Sequence, residues 1–217
     1  MGKQKLIYDL AVFDLDGTIV KGNTLHIYMR CAIIESLRRY EFGAFFRIIA
    51  FAAARSLRLC SHLTMKNGIL GALDPSLRMR DDFRRRVRRA LSPEALSLAE
   101  DCHEKGMKIL LATAASEIYV PWIWRGDYLA TPPLSREECR GERKLRLACE
   151  YAEKHGLTIH TVVSDHADDI PLLGASTATE RILINPSEDT LRRVAEAGIR
   201  LTGIIRPNGY DGCGQAH

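Results

Sequence analysis

One stretch near the N-terminus, Ala11 to Thr18, restricts what this chain can fold into more than any other. Ala11, Val12 and Phe13 are apolar and run directly into Asp14-Leu15-Asp16-Gly17-Thr18. Val and Phe favour a covered, pleated surface, so the apolar part reads as a buried strand. Residues at i and i+2 of a strand point the same way. Asp14 and Asp16 therefore crowd one spot where the strand ends, and each raises the other's pKa. A divalent cation or a positive side chain between them makes that arrangement tolerable. Gly17 supplies the backbone freedom for a sharp turn and for close approach of a ligand. Asp16-Gly17 could also be a hairpin turn, but a hairpin demands a second alternating strand. Val20 to Tyr40 instead shows apolar residues at helical spacing. A calcium loop of EF-hand type needs more acidic ligands than Lys21, Gly22 and Asn23 offer.

After this stretch the pattern is helical for a long way. Leu25, Ile27, Tyr28, Ala32, Ile33, Ile34 and Leu37 mark one helix, and Phe42 to Leu59, Met65 to Leu73 and Leu77 to Leu91 add three more. Phe42 to Leu59 is strongly apolar but is interrupted by Arg47, Arg55 and Arg58, and its uncharged part is too short to span a bilayer. It reads first as a helix buried in a subdomain, with a membrane-surface helix as the alternative. Strand and helix then alternate. Ser92-Pro93 opens a helix as N-cap and first residue, closed by Gly106. Lys108–Thr113 reads as a strand, Tyr128–Thr131 as a short one, Arg143–His155 as a helix closed by Gly156, and Thr158–Ser164 as a strand. Arg181–Ile184, Ser187–Ala197 and Arg200–Ile205 complete the series as strand, helix and strand; Leu6–Phe13 would be the first strand. Such alternation predicts an α/β fold, a doubly wound parallel sheet, with a smaller all-helical subdomain. The expected boundaries are 1–20 and 92–207 for the α/β core, 21–91 for the helical part and 208–217 for a loose tail.

A length of 217 residues suffices for one substantial core and a subdomain. The net charge of +4 is modest but uneven, with Arg78, Arg80, Arg84, Arg85, Arg86, Arg88 and Arg89 in one window. These read as a solvated helix face, and no nucleic-acid signature accompanies them; no nucleic-acid partner and no membrane association are expected. Cys31, Cys60, Cys102, Cys139, Cys149 and Cys213 form no Cys-x-x-Cys pair. Asp9, Asp14 and Asp16 interrupt any apolar signal-peptide segment. Free thiols and a cytoplasmic location are the expectation.

Open α/β sheets bind ligands at the carboxyl ends of their strands. Asp14, Asp16, Thr113, Asp165 and Asp169 fall at such ends, and Lys144 starts the helix before the Asp165 strand. Carboxylates, a hydroxyl and an ammonium on one edge suit phosphoryl transfer, in which magnesium takes carboxylate, water and phosphate oxygens. Each residue also has a plainer reading. Thr113 could cap a helix, Lys144 could be a surface cation, Asp165 a helix N-cap and Asp168 a solvated acid. Ser116 and Glu117 could start a helix, and His166 could simply contact its carboxylate neighbours.

These same residues resemble the motifs of the haloacid dehalogenase superfamily, in its phosphoserine-phosphatase-like branch (subfamily IB). Asp14–Thr18 resembles the first motif, Thr113 after its apolar strand the second, Lys144 the third, and Ser164–Asp169 the fourth. The helical stretch after the first motif matches that family's helical cap of C1 type. The resemblance implies a magnesium-dependent phosphatase acting on a small phosphorylated metabolite. Asp14 would be the nucleophile that forms an aspartyl-phosphate, and Asp16 the general acid and then base. Thr113, Ala114 and Lys144 would hold the phosphoryl oxygens. Magnesium would be held by Asp14, the main-chain carbonyl of Asp16 and Asp165, with Asp169 supporting that shell or orienting Lys144. Three features depart from the pattern: a short segment between Thr113 and Lys144 containing Pro121–Arg125, Asp168 in place of a common Asn, and Asn23 where phosphoserine recognition would place a glutamate. The last counts against phosphoserine itself. The alternatives are transfer to an acceptor other than water and a non-catalytic binding module on the same fold.

Overall fold

The computed structural model describes residues 8–206. The expected strand residues Leu6 and Ile7 and the whole of the expected C-terminal tail lie outside that range. A six-stranded sheet runs in the order β3-β2-β1-β4-β5-β6, with every neighbouring pair parallel. The strands are β1 (Tyr8–Phe13), β2 (Lys108–Ser116), β3 (Asp127–Thr131), β4 (Leu157–Ser164), β5 (Glu180–Ile184) and β6 (Gly203–Ile205). Alternate residues of β1 feed two different cores. Leu10 and Val12 pack with Leu110, Ile159 and Val162 on one face, and Ala11 and Phe13 pack with Leu111 and Val163 on the other. Burial on both faces is what a central parallel strand requires.

Between β1 and β2 lie α1 (Thr24–Arg38), α2 (Phe42–Ser56), α3 (His62–Leu70), α4 (Leu77–Arg89) and α5 (Pro93–Glu104). The first four form an all-helical insertion. The chain leaves and re-enters the α/β part through paired crossings: Lys21 N–H donates to the Ala90 carbonyl at 2.6 Å, and Ser92 N–H to the Ile19 carbonyl at 2.9 Å. The short α6 (Val120–Ile123) follows β2, and α7 (Gly141–His155), α8 (Ile170–Leu173) and α9 (Glu188–Glu196) complete the chain. Ala95 and Cys102 of α5 join one core, while Ala148 and Ala152 of α7 and Val194 of α9 join the other, so helices cover both sheet faces.

The caps match their sequence signals. Ser92 accepts from Ala95 N–H ahead of Pro93, and Gly156 ends α7 in the left-handed conformation. Elsewhere the structure corrects the expectations. Thr113 does not end its strand: β2 continues through Ser116, and neither Ser116 nor Glu117 starts a helix. The Pro121–Trp124 segment is largely the helix α6, and it is a seat for the insertion. Phe83 of α4 lies 5.3 Å from Tyr119 and 5.6 Å from Trp122, centroid to centroid, and Tyr28 of α1 lies 5.5 Å from Tyr119. The arginine-rich helix α4 is mostly solvated, burying only Met79, Phe83 and Val87. Two of its arginines nevertheless dock on α6: Arg84 Nε donates to the Trp122 carbonyl at 2.9 Å, and Arg80 stacks over the Trp122 ring at 5.2 Å.

Helix α2 is not the buried helix its composition suggests. Ile48 alone is fully covered, while Phe42 and Phe46 are 52% and 66% exposed. An all-round apolar helix needs cover on every side, and α1 and α3 reach only one side of it.

Candidate active site

Strand order reverses between β2 and β4, on either side of β1, and the crevice outside the carboxyl ends there is where ligands bind in open α/β sheets. The turn after β1 places two carboxylates at that crevice. Asp14 N–H still donates to the Val163 carbonyl of β4 at 2.9 Å. The turn then closes through Gly17 N–H to the Val20 and Gly22 carbonyls and Val20 N–H to the Leu15 carbonyl, leaving the Asp16 carbonyl out of these bonds. Gly17 has φ of +82°, and a Cβ on it would overlap the Asp165 carboxylate. The glycine therefore serves both the turn and the approach of Asp165 from β4.

Lys144, in the first turn of α7, is buried between two acids. Its Nζ donates to Asp14 Oδ1 at 2.9 Å and to Asp169 Oδ2 at 2.8 Å. Ser164 Oγ donates to the same Asp169 oxygen at 2.7 Å. Burial alone would discharge Lys144, but Asp14 and Asp169 reverse that and raise its pKa. Burial dominates at Asp14 and pushes it up to about 8 against the pull of Lys144; the Asp169 and Asp165 charges add to the rise. Asp165 is pushed up to about 6, by burial first and then by Asp169. Asp16 is raised too, chiefly by burial, although its Oδ1 accepts from Thr24 N–H at the start of α1 at 2.7 Å. At the strand ends Asp14, Asp16, Asp165 and Asp169 outnumber Lys144, the ammonium bonded to two of them.

Thr113 and Ala114 stand where β2 escapes its regular ladder. Pairing with β1 stops at Phe13 and Leu111, and the register against β3 breaks between Ala112 and Ser116. Thr113 is buried, and its Oγ1 accepts from Ala115 N–H at 3.0 Å. The structure thus brings Asp14, Asp16, Thr113, Ala114, Lys144, Asp165 and Asp169 around one cleft of about 280 Å³. Asp165 is not a helix cap; His166 caps the short 3-10 turn that follows. Asp168 is not simply solvated, since the Arg140 guanidinium bonds to it and His166 Nδ1 lies 2.7 Å away.

The cleft has residues that sequence reasoning missed. Lys66 of α3 is buried; its Nζ donates to the Ala114 carbonyl and to Glu138 Oε1, the latter at 2.9 Å. His62, one turn earlier, lies 3.4 Å from Glu138 Oε2. Arg140 also lines the cleft, as does Asn23, which the sequence had already set apart. The available signal was the i, i+4 spacing of His62 and Lys66 on one face of α3; Glu138 and Arg140 carried none.

The donors that Asp14, Asp16 and Asp165 bring to the cleft are oxygens, the preference of a hard divalent cation. Among the described residues no three His, Cys, Asp or Glu side chains converge in metal-binding geometry. Two carboxylates, Asp14 and Asp165, with the Asp16 carbonyl unused by the turn, fit an ion that keeps its remaining positions for water and phosphate.

A doubly wound α/β fold with an acidic crevice at its switch point and a helical insertion behind the first strand defines the class of protein. Within that class, the model for haloacid dehalogenase-like hydrolases matches residues 11–174, and the chain belongs to that family. No curated protein sequence matches the chain. Solved structures share the fold at low identity. A Bordetella pertussis Tohama I protein of unknown function is 20% identical, with a TM-score of 0.68 over 92% of this chain and 98% of that one. A HAD family hydrolase from Salmonella enterica serovar Typhi is 14% identical, with a TM-score of 0.58 over 88% and 67%. A substrate-bound phosphoserine phosphatase is also 14% identical, with a TM-score of 0.55 over 91% and 92%. No helix among the described residues is long and apolar enough to cross a membrane.

Proposed function

We propose that the chain is a magnesium-dependent phosphatase that hydrolyses a small phosphorylated metabolite through an aspartyl-phosphate on Asp14. The observation that carries this reading is the pairing of two differently held carboxylates on one turn. Asp14 is fixed by Lys144 Nζ at 2.9 Å, and Asp16 is held apart by Thr24 N–H at 2.7 Å with its pKa raised. Two acids on one turn, one bonded to an ammonium and the other to a backbone amide, are suited to be nucleophile and acid.

Asp14 attacks phosphorus as the bond to the leaving oxygen breaks, and Asp16 gives that oxygen its proton from Oδ2, the oxygen that Thr24 N–H leaves free. Asp16, now ionised, takes a proton from water; the resulting hydroxide attacks phosphorus, frees phosphate and regenerates Asp14. Lys144, Thr113 and the main chain at Ala114 hold the phosphoryl oxygens. Asp169 keeps Lys144 aimed at Asp14. Asp14, the Asp16 carbonyl and Asp165 would hold a magnesium ion, which would add positive charge to the crevice and favour the ionised form of Asp14 that attack requires. The α1–α4 insertion, residues 21–91 with its crossings, is the cap that selects substrate and excludes water. A cleft of about 280 Å³ suits a small substrate.

The test is phosphate release from a panel of phosphomonoesters with magnesium. Turnover on at least one compound is expected, and Asp14→Asn should lower it by about a thousandfold or more. No release across the panel, or full activity in Asp14→Asn, overturns the reading.

A further inference from the structure

We propose that the outer face of α2 is a docking surface for an anionic phospholipid bilayer, seated flat at the interface. Phe42, Phe46, Ile49, Ala50, Ala53 and Leu57 recur at helical spacing, and all six are exposed. Phe46 and Leu57 are 66% and 69% exposed. The opposite side of α2 is already engaged: Ile48 is fully buried and Phe51 lies so close to Gly68 of α3 that a Cβ there would overlap its ring. The helix is thus apolar on two sides and covered on one, and the open side is one contiguous stripe.

The charges around the stripe select the occupant. No Asp or Glu occurs anywhere from Phe42 to Leu73. Arg47, Arg55 and Arg58 are exposed, and among the described residues none of them lies within ion-pair distance of a carboxylate. A second copy docked stripe to stripe would offer these arginines no carboxylate, because the segment from Phe42 to Leu73 carries none. A negatively charged headgroup layer neutralises them while its acyl boundary takes up Phe42, Phe46 and Ile49, the arrangement of an interfacial helix. Such docking would run against the expectation that the chain does not associate with membranes. It is independent of the chemistry proposed for the cleft.

Vesicle flotation of the full chain tests this, with phosphatidylcholine vesicles alone and with about 30% phosphatidylglycerol. Flotation with the anionic vesicles, weakening as salt rises from about 0.1 M to about 0.5 M, is the expected result. Phe46→Ser/Ile49→Ser and Arg47→Glu/Arg58→Glu should each lower the partition about tenfold or more. Both variants alter exposed side chains, so their circular dichroism and melting temperature should match the parent. Absence of flotation with anionic vesicles overturns the proposal, as does equal flotation with neutral ones. A dimer in sedimentation equilibrium that Phe46→Ser/Ile49→Ser abolishes overturns it in favour of self-association.

Discussion

Lys66 and Glu138 form a buried contact that depends on both partners being present. Their side chains are 3% and 12% exposed, and Lys66 also holds the Ala114 carbonyl beside the phosphoryl pocket. Removing one member of a buried ion pair leaves an uncompensated charge and costs about 3–5 kcal/mol. Lys66→Met should therefore lower the unfolding free energy by about that much in a urea titration, and Lys66→Met/Glu138→Leu should recover most of the loss, because the pair itself contributes little net stability. The pair also shapes the acid limb of stability. Burial alone would raise the Glu138 carboxyl, but His62 and Lys66 outweigh it and bring it down to about 2. An acid whose pKa falls on folding stabilises the fold fully above its unfolded pKa. That contribution fades as pH drops from about 4.5 to about 2. Urea midpoints measured across that range should fall more steeply for the parent than for Glu138→Gln. Asp14, Asp16, Lys144 and Asp165 were legible in the sequence because each stands at the end of an apolar run or the start of a helix, where local pattern predicts the sheet edge. Lys66 was not, since its role exists only once α3 lies against the bulge of β2.

The turn between β1 and α1 is the element on which the cleft's geometry rests. Gly17 adopts a left-handed φ of +82°, and the Asp165 carboxylate occupies the space a Cβ would need. Alanine there meets two penalties at once, about 1–2 kcal/mol for the backbone conformation and a displaced Asp165. Gly17→Ala should lower the melting temperature by several degrees, and should lower turnover far more than the lost stability explains, because displacement of Asp165 persists in the folded fraction. Turnover measured well below the melting transition separates the two effects. At this scale most of the fold was readable: apolar runs located the strands, and Ser92-Pro93 and Gly156 placed helix ends through backbone geometry that few other residues supply. Three things were not. The extension of β2 through Ala114, Ala115 and Ser116 uses small residues with no strand preference. The seat formed by α6 depends on aromatic contacts with Tyr28 and Phe83, which come from a distant part of the chain. The exposed side of α2 could not be told from a buried one, because periodicity reports which residues share a face and not whether anything covers it.

Across the whole molecule the crevice trades stability against chemistry. Asp14, Asp16, Asp165 and Asp169 converge on one edge of the sheet with Lys144 as the ammonium buried among them, and Asp14 and Asp165 are pushed up to about 8 and about 6. A carboxyl raised on folding destabilises the fold as pH climbs from its unfolded pKa toward its folded one, so the cost is complete above about pH 6 for Asp165 and only above about pH 8 for Asp14. Such a site is expected to be less stable than a neutralised version of itself, as functional sites commonly are. Two opposite changes should relieve it. Magnesium, binding the folded state alone, should raise the melting temperature in proportion to the logarithm of its concentration once that exceeds the dissociation constant. Asp165→Asn should raise the melting temperature of the metal-free protein, because it removes one repelling charge and keeps the shape of the side chain. The same substitution deletes a ligand, so it should also flatten the magnesium response and lower turnover. Thermal melts of both proteins in chelator and across a magnesium series decide the matter. A parent that magnesium does not stabilise, or an Asp165→Asn protein that magnesium stabilises as strongly as the parent, would remove Asp165 from the metal site; a metal-free Asp165→Asn protein less stable than the parent would show that its carboxylate holds the turn rather than strains it.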